Sequence, residues 1–216
     1  MEIPAFEEKF IEIIFEKEHS IALQKYSLWL NNNKLDKIHG GVYRLIPMLH
    51  KRLSETKQHY ENMDQTKSIY CLSLHRNYFM IHRAKSLFAE LQRNAIPFLL
   101  LKGISLVSSY YDDIATRPMS DIDFLVHDVD LRRTIDVMAS CGWKCDHLPS
   151  EYQMNHLEYC HALHFHARDG MEMDLHWYVI PQCCWKNTDE NYWKTAEPIC
   201  LLGDTYLSPS PAMQLL

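Results

Sequence analysis

The sequence lacks the segments that would direct a chain into or across a membrane. Residues 1–5 have neither the cationic start nor the apolar stretch of a secretory signal peptide. No apolar run approaches the roughly 20 residues that a transmembrane helix needs. The longest such run, residues 96–101, has the length of a strand. We therefore expect a cytoplasmic protein with no membrane partner.

Positive charge and paired cysteine motifs are also scarce. The 216 residues include 22 basic and 28 acidic side chains, which gives a formal net charge of −6. This balance argues against bulk attraction to nucleic acid, although a local basic groove and an RNA substrate stay open. The 7 cysteines are odd in number and form no pair of CxxC units. We expect reduced thiols rather than a disulfide framework or a zinc site.

The composition is that of a globular protein, with 47% hydrophobic and 23% charged residues. Apolar residues recur at helical spacing over 6–32, again over 42–53, and in a long segment over 68–93 that Pro97 terminates. This pattern predicts a helical N-terminal region spanning residues 1–95.

From Phe98 onward, strand patterns alternate with helix patterns. We predict strands and helices over the following segments: strands 98–101, 121–126, 161–168 and 171–179, and helices 103–111 and 128–140. Asp169-Gly170 predicts a hairpin between the last two strands. The fold class is therefore α/β (α+β), with a mixed-sheet core over 96–204. The Ser208–Pro211 segment is typical of a helix start, so residues 205–216 are expected to begin a C-terminal helical region that the chain does not complete.

Two carboxylates stand out in the second predicted strand. Asp121 and Asp123 are two residues apart, so on a strand they project from one face, about 6.5–7 Å apart along the chain. Ionised groups on a covered strand are costly unless compensated, and a divalent cation supplies that compensation. Mg²⁺ prefers such oxygen ligands. The alternative is that these residues form only the polar start of a strand.

Two further segments surround this pair. Lys102-Gly103 follows a strand and opens a helix, where a phosphate finds free N–H donors, close backbone approach and a lysine charge. Glu172, Asp174 and His176 alternate with apolar residues, so one strand face carries acids that could complete a metal site. An ordinary strand-to-helix turn and a solvated hairpin face are the respective alternatives.

The segments LLLKG, RPMSDIDFLV and EMDLHW together resemble the nucleotidyltransferases of the DNA polymerase beta superfamily. The similarity is greatest to a poorly characterised bacterial branch that reads LKG…R…DIDLLV…DLHW. The resemblance implies a mixed-sheet nucleotidyltransferase core and a magnesium-dependent reaction, in which an acceptor attacks the α-phosphate of a nucleoside triphosphate such as ATP and pyrophosphate leaves. It implies a two-ion Mg²⁺ site, with Mn²⁺ as an alternative.

The same resemblance implies roles for individual residues. The catalytic, metal-binding carboxylates would be Asp121, Asp123 and Asp174. Glu172 and His176 would support them from nearby positions. The nucleotide-binding residues would be Lys102, Gly103, Ser105, Arg117 and Ser120. A loop salt bridge with Asp112 or Asp113 is the alternative for Arg117.

One position departs from the superfamily pattern. Many members carry a serine directly after the glycine, whereas this chain has Ile104 there and Ser105 one residue later. This departure favours a catalytically lapsed nucleotide-binding module as an alternative. Two further alternatives are a toxin-like enzyme that modifies tRNA and a phosphotransferase, since a lysine with paired aspartates also suits phosphoryl transfer. The acceptor, whether a small molecule, a protein or an RNA, cannot be read from these motifs.

Histidines are frequent, with 13 in the chain, and several precede or join the third motif: His156, His161, His164, His166 and His176. Their spacing does not match that of a tetrahedral zinc site. We expect one or two of them to line the acceptor side of the cleft.

Overall fold

The computed structural model describes residues 4–145 and 160–215. The chain divides into two units. The first contains Met1–Tyr78 and Tyr111–Pro118, and the second contains Phe79–Tyr110 and Met119–Leu216. The division falls within one long helix, so the boundary predicted after residue 95 stays a prediction.

The first unit is helical. Its helices are α1 (Ala5–Phe15), α2 (His19–Leu30), α3 (Gly40–Tyr43), α4 (Ile46–Ser54) and the first part of α5 (Met63–Arg93). They enclose a core whose central side chains, including Phe10, Tyr26 and Leu49, are fully buried. The helical N-terminal region is thereby confirmed.

The single helix predicted over residues 6–32 is wrong, because two helices occupy that segment. Glu16 leaves the helical conformation with ψ 130°. Its carboxylate oxygen Oε1 accepts a hydrogen bond from the backbone N–H of Lys17 at 2.9 Å. A side chain that bonds to nearby backbone in this way competes with the helical hydrogen bonds and favours a break.

Residues 111–118 are held within the first unit by polar side chains of α5. The Asn77 side-chain amide donates to the carbonyl oxygens of Ile114, at 2.6 Å, and Arg117, at 2.9 Å. The Ser73 hydroxyl donates to the carbonyl of Ala115 at 2.7 Å. These bonds satisfy backbone groups of a segment that has no strand partner of its own.

The second unit contains the sheet. Its elements after α5 are β1 (Phe98–Leu101), α6 (Lys102–Tyr110), β2 (Ile122–Val126), α7 (Leu131–Ser140), β3 (Ala162–His166), β4 (Glu172–His176), α8 (Glu190–Lys194), β5 (Glu197–Leu201) and β6 (Asp204–Ser208). Four strands form one sheet in the order β1-β2-β4-β3. The β2–β4 pair is parallel and the other two pairs are antiparallel, which confirms the mixed sheet.

The two faces of this sheet differ in chemistry. One face is aromatic: the ring centroids of Phe98 and Phe124 lie 5.0 Å and 6.2 Å from that of Phe88 on α5. The other face carries Asp123 and Asp174. The alternation of side chains along β2 and β4 therefore separates a buried core from a polar face.

Most predicted strands and helices are confirmed, and the Asp169-Gly170 hairpin is confirmed by the antiparallel β3–β4 pair. Gly170 has φ +78°, a conformation that glycine adopts without steric cost. Ser208 ends β6, and a short 3-10 helix, Met213–Leu215, follows the Ser208–Pro211 segment. The C-terminal helical region that this segment was expected to begin stays a prediction. The β5–β6 hairpin was not predicted, because Pro198 interrupts the usual strand signal.

Within residues 4–145 and 160–215, none of the helices combines the length and the apolar character that spanning a bilayer requires.

Candidate active site

Strand register brings the acidic residues of two motifs side by side. Asp123 on β2 is the pairing partner of Asp174 on β4, and Asp174 is the partner of His164 on β3. Directly paired residues share a face, and neighbouring strands are about 4.8 Å apart. A row of Asp123, Asp174 and His164 therefore crosses the sheet, and His176 lies on the same face two residues beyond Asp174.

Asp123 is the most enclosed acid in this group, with 3% of its surface exposed. Its oxygen Oδ1 accepts hydrogen bonds from the Lys102 ammonium at 2.6 Å and from His176 Nε2 at 2.9 Å. Burial by itself raises the pKa of Asp123, but the hydrogen bonds from His176 and Lys102 outweigh it, and the net pKa is lowered. The carboxylate is therefore ionised at neutral pH despite its burial.

Lys102 reaches Asp123 from the junction between β1 and α6. Its backbone has φ +47°, a left-handed conformation that is uncommon for a residue with a Cβ. Such strain costs about 1–3 kcal/mol and concentrates at functional sites. The side chain is 56% exposed although its Nζ contacts a buried oxygen. Lys102 is therefore accessible to solvent along its stem while its ammonium contacts the enclosed carboxylate of Asp123.

Gly103 follows with ordinary backbone geometry. A Cβ added there would meet only Met119, at 3.5 Å from Cγ and 3.6 Å from Sδ, which is ordinary van der Waals contact. Neither packing nor φ therefore requires glycine at this position.

Asp174 contacts a histidine on the open side of the row. His164 Nδ1 lies 2.7 Å from Asp174 Oδ1. The hydrogen bond to Asp174 raises the pKa of His164, and the negative charges of Glu172 and Asp121 act in the same direction. His164 therefore lies in an acidic environment, to which Asp121, the first aspartate of the second motif, contributes.

Burial lowers the pKa of His161, and the positive charges of His176 and Lys102 lower it further. The ring centroids of His161 and His176 are 5.8 Å apart. The pKa values of the two histidines therefore shift in opposite directions: burial and nearby cations lower that of His161, whereas acids raise that of His164.

Three of these side chains can meet at one cation. Asp123, Asp174 and His176 each offer one ligand atom, and these atoms lie within 4.8 Å of one another. Carboxylate oxygens suit Mg²⁺ and Mn²⁺, whereas imidazole suits later transition metals. The group therefore could hold one divalent metal ion, and Asp123 would serve it in ionised form.

Asp121 precedes the strand instead of lying within it, because β2 begins at Ile122. Its Oδ1 accepts a hydrogen bond from the Ser120 hydroxyl at 3.1 Å. It is not a member of the three-residue group, and a metal-binding role for Asp121 stays a prediction.

The other predicted nucleotide contacts are placed differently. Ser105 is fully buried, and its hydroxyl bonds to that of Ser208 within the fold. Arg117 belongs to the first unit, where its guanidinium carbon lies 5.9 Å from the ring centroid of Tyr111. Asp113 pairs with Lys51 at 3.8 Å. Nucleotide contacts by Ser105, Ser120 and Arg117 stay predictions.

Two contacts at the site were not predicted from the motifs. The Lys102–Asp123 ion pair joins two motifs 21 residues apart, and local patterns do not reveal such a pair. The register behind the His164–Asp174 contact was not readable either: a two-residue turn at Asp169-Gly170 would pair Arg168 with Met171, whereas Ala167 bonds to Met171 around a three-residue turn. Of the histidines singled out, His156 lies outside the described residues.

One end of the polar face is covered. Leu99, Leu101 and Leu125 pack there with Tyr192 of α8. Lys102 and His164, each with 56% of its side chain exposed, are accessible to solvent, as is Glu172. Asp123 and Asp174 are therefore approached from the side of these exposed residues.

Comparison with curated proteins finds no match. A comparison with protein families finds one whose description is uncharacterised nucleotidyltransferase, and it matches residues 42–216. The match includes all three motifs and every predicted site residue. The chain therefore belongs to this nucleotidyltransferase family and is a transferase of nucleotidyl groups.

Proposed function

We propose that this protein is a divalent-metal-dependent nucleotidyltransferase. It takes a nucleoside triphosphate, transfers the nucleoside monophosphate to an acceptor and releases pyrophosphate. The observation that carries the proposal is the convergence of Asp123, Asp174 and His176 beside Lys102. Chelating carboxylates next to a lysine whose side chain is 56% exposed form a site for a metal-bound polyphosphate.

The donor set fits a divalent ion, with Mg²⁺ as the proposed physiological metal and Mn²⁺ as a working substitute. Asp123 and Asp174 would be the principal ligands, His176 would be a ligand or a support, and Asp121 would serve a second ion. A bound ion would neutralise negative charge on the α-phosphate. The pairing of β2 with β4 orients the two carboxylates before any ligand arrives.

The triphosphate would lie against the start of α6. Lys102 would supply charge and the free N–H groups of the first turn would supply donors. Gly103 supports this placement, because the fold leaves space for a Cβ there and glycine instead permits close approach of a phosphate. Ser120 and Ser105 complete the proposed contacts within the second unit, and the nucleotide-binding role that the resemblance implies for Arg117 stays a prediction. To contact a phosphate, the Ser105 hydroxyl would have to bond to it in addition to, or instead of, the Ser208 hydroxyl.

The acceptor would approach on the side of β3. Asp174, oriented by His164 at 2.7 Å, would accept the proton of an acceptor hydroxyl as it attacks. Glu172 projects from the same face of β4 and is the reserve for this role. We place the reaction in the cytoplasm, where nucleoside triphosphates are the available donors.

Thermal denaturation with and without nucleotide tests the site. Each of ATP, GTP, CTP and UTP, with Mg²⁺ or Mn²⁺, is added to the wild type and to the Asp121→Asn, Asp123→Asn and Asp174→Asn variants. Asp136→Asn, an exposed acid on α7, is the matched control. We expect metal-dependent stabilisation by at least one nucleotide in the wild type and the control, and its loss in Asp123→Asn and Asp174→Asn.

Equal stabilisation of all five proteins would refute the site. The reaction itself is tested with triphosphates labelled at the α- or the γ-phosphate. Transfer of the α-label to an acceptor with release of pyrophosphate supports the proposal. Transfer of the γ-label would identify a phosphotransferase, and binding without pyrophosphate release would identify a lapsed nucleotide-binding module.

A further inference from the structure

Lys102 contacts the same side chains that form the candidate metal group. Its ammonium lies 2.6 Å from Asp123 Oδ1 and 3.4 Å from His176 Nε2. Asp123 and His176 are also two of the three residues whose ligand atoms converge. The Asp123 carboxylate is therefore the target of two cations, the lysine of the chain and the divalent ion that the proposed function requires.

Simultaneous contact of both cations with Asp123 brings two positive groups into close repulsion. A magnesium ion binds oxygen at about 2.0–2.1 Å, so an ion on Oδ1 would lie less than about 5 Å from the ammonium. The oxygen is enclosed, with Asp123 3% exposed, so solvent does little to reduce their repulsion. The two negative charges of Asp123 and Asp174 then face three positive charges, one from Lys102 and two from the divalent ion.

Lys102 is the member of the group that can move. The side chains of Asp123 and His176 are 4% and 3% exposed and are held by strands, whereas that of Lys102 is 56% exposed on a flexible four-carbon stem. Its backbone stays at the first position of α6, beside Gly103. From there the ammonium can turn from the carboxylate toward a polyphosphate at the helix start.

We propose that Lys102 is a movable counter-cation that competes with the divalent ion for Asp123 and transfers to the triphosphate when the metal–nucleotide complex binds. The inference rests on the proposed function and deepens it. The metal then binds weakly without nucleotide and tightly with it, because the triphosphate draws away the competing charge. Metal and nucleotide therefore bind cooperatively, and each raises the affinity for the other by the same factor.

The test measures Mn²⁺ binding by electron paramagnetic resonance, with and without an α,β-methylene nucleoside triphosphate that cannot react. The proteins are the wild type, Lys102→Met, Lys102→Arg and Asp123→Asn. Lys85→Met is the matched control, because Lys85 forms a 2.7 Å ion pair with Asp204 elsewhere in the same unit. Circular dichroism checks that each variant is folded, and Lys102→Gln replaces Lys102→Met if the latter is not.

Without nucleotide, we expect Lys102→Met to bind Mn²⁺ about tenfold or more tightly than the wild type, since a nearby positive charge is removed. Lys102→Arg and Lys85→Met should match the wild type. The analogue should raise the Mn²⁺ affinity of the wild type by about tenfold or more and that of Lys102→Met by much less.

Equal or weaker Mn²⁺ binding by Lys102→Met, with binding still lost in Asp123→Asn, would overturn the inference while leaving the proposed metal site intact. A lack of Mn²⁺ binding by both the wild type and Lys102→Met, even with the analogue, would overturn the inference and the proposed function together. Binding by Lys102→Met alone would support the competition.

Discussion

Replacing Asp123 by asparagine changes the balance between burial and hydrogen bonding at the centre of the site. Burial disfavours the ionised carboxylate, whereas the hydrogen bonds from His176 and Lys102 favour it, and the pKa of Asp123 is lowered on balance. A hydrogen bond to a charged group contributes about 1.5–3 kcal/mol. The Lys102 hydrogen bond contributes less than this, because the lysine side chain is 56% exposed and solvent screens its charge.

Asparagine is nearly isosteric and can still accept one of these bonds, so only the charge-dependent part is lost. We expect Asp123→Asn to lower the free energy of unfolding at pH 7 by about 1–2 kcal/mol. The assay is urea unfolding followed by circular dichroism, with a chelator present so that metal binding does not contribute.

The pH dependence supplies an internal control. Because the folded pKa of Asp123 is lowered, its stabilisation is fully present above its ordinary pKa of about 3.9 and is lost as pH falls through the lower folded value. The difference between the wild type and Asp123→Asn should therefore shrink below about pH 4. A variant as stable as the wild type at pH 7, or more stable, would refute the reasoning, since it would mean that burial dominates.

Three further predictions concern other parts of the second unit. Gly103→Ala should change the free energy of unfolding by less than about 1 kcal/mol, because its Cβ would only touch Met119, yet it should reduce stabilisation by nucleotide; a large loss of stability in urea would contradict this. Phe124→Ala should lower the free energy of unfolding in urea by about 3–5 kcal/mol, because the ring is fully buried in the aromatic face. A decrease below about 1 kcal/mol would place that ring outside the core. His164→Gln should slow transfer about 10- to 100-fold with unchanged nucleotide binding, because it removes the partner that orients Asp174; an unchanged rate would exclude this orienting role.

Local sequence patterns predicted the strands, helices and turns whose residue preferences agree with their burial in the fold. The apolar run at residues 98–101 became β1, and Asp169-Gly170 became the turn of the β3–β4 hairpin. The long helix was also anticipated, with the structure extending it back to Met63. Apolar periodicity and turn residues act over a few positions, so they can be read without knowledge of distant partners.

The site was anticipated in composition but only partly in geometry. Two-residue spacing correctly placed Asp174 and His176 on one face of a strand. It also placed Asp121 within β2, whereas the strand begins at Ile122 and Asp121 lies outside the three-residue group. Strand boundaries depend on which backbone groups find ladder partners, and that is settled by the neighbouring strands rather than by local sequence.

The sequence by itself determined which residues alternate, where the chain turns, and which acids, glycine and lysine stand at the ends of strands. Only the tertiary structure decided that Asp123 is opposite Asp174 and that Lys102 and His176 both hydrogen-bond to Oδ1 of Asp123. It also decided that the Ser105 hydroxyl bonds to that of Ser208. These pairings join residues 21 to 103 positions apart. Contacts over such distances arise from strand register and side-chain packing, which depend on the whole unit folding together.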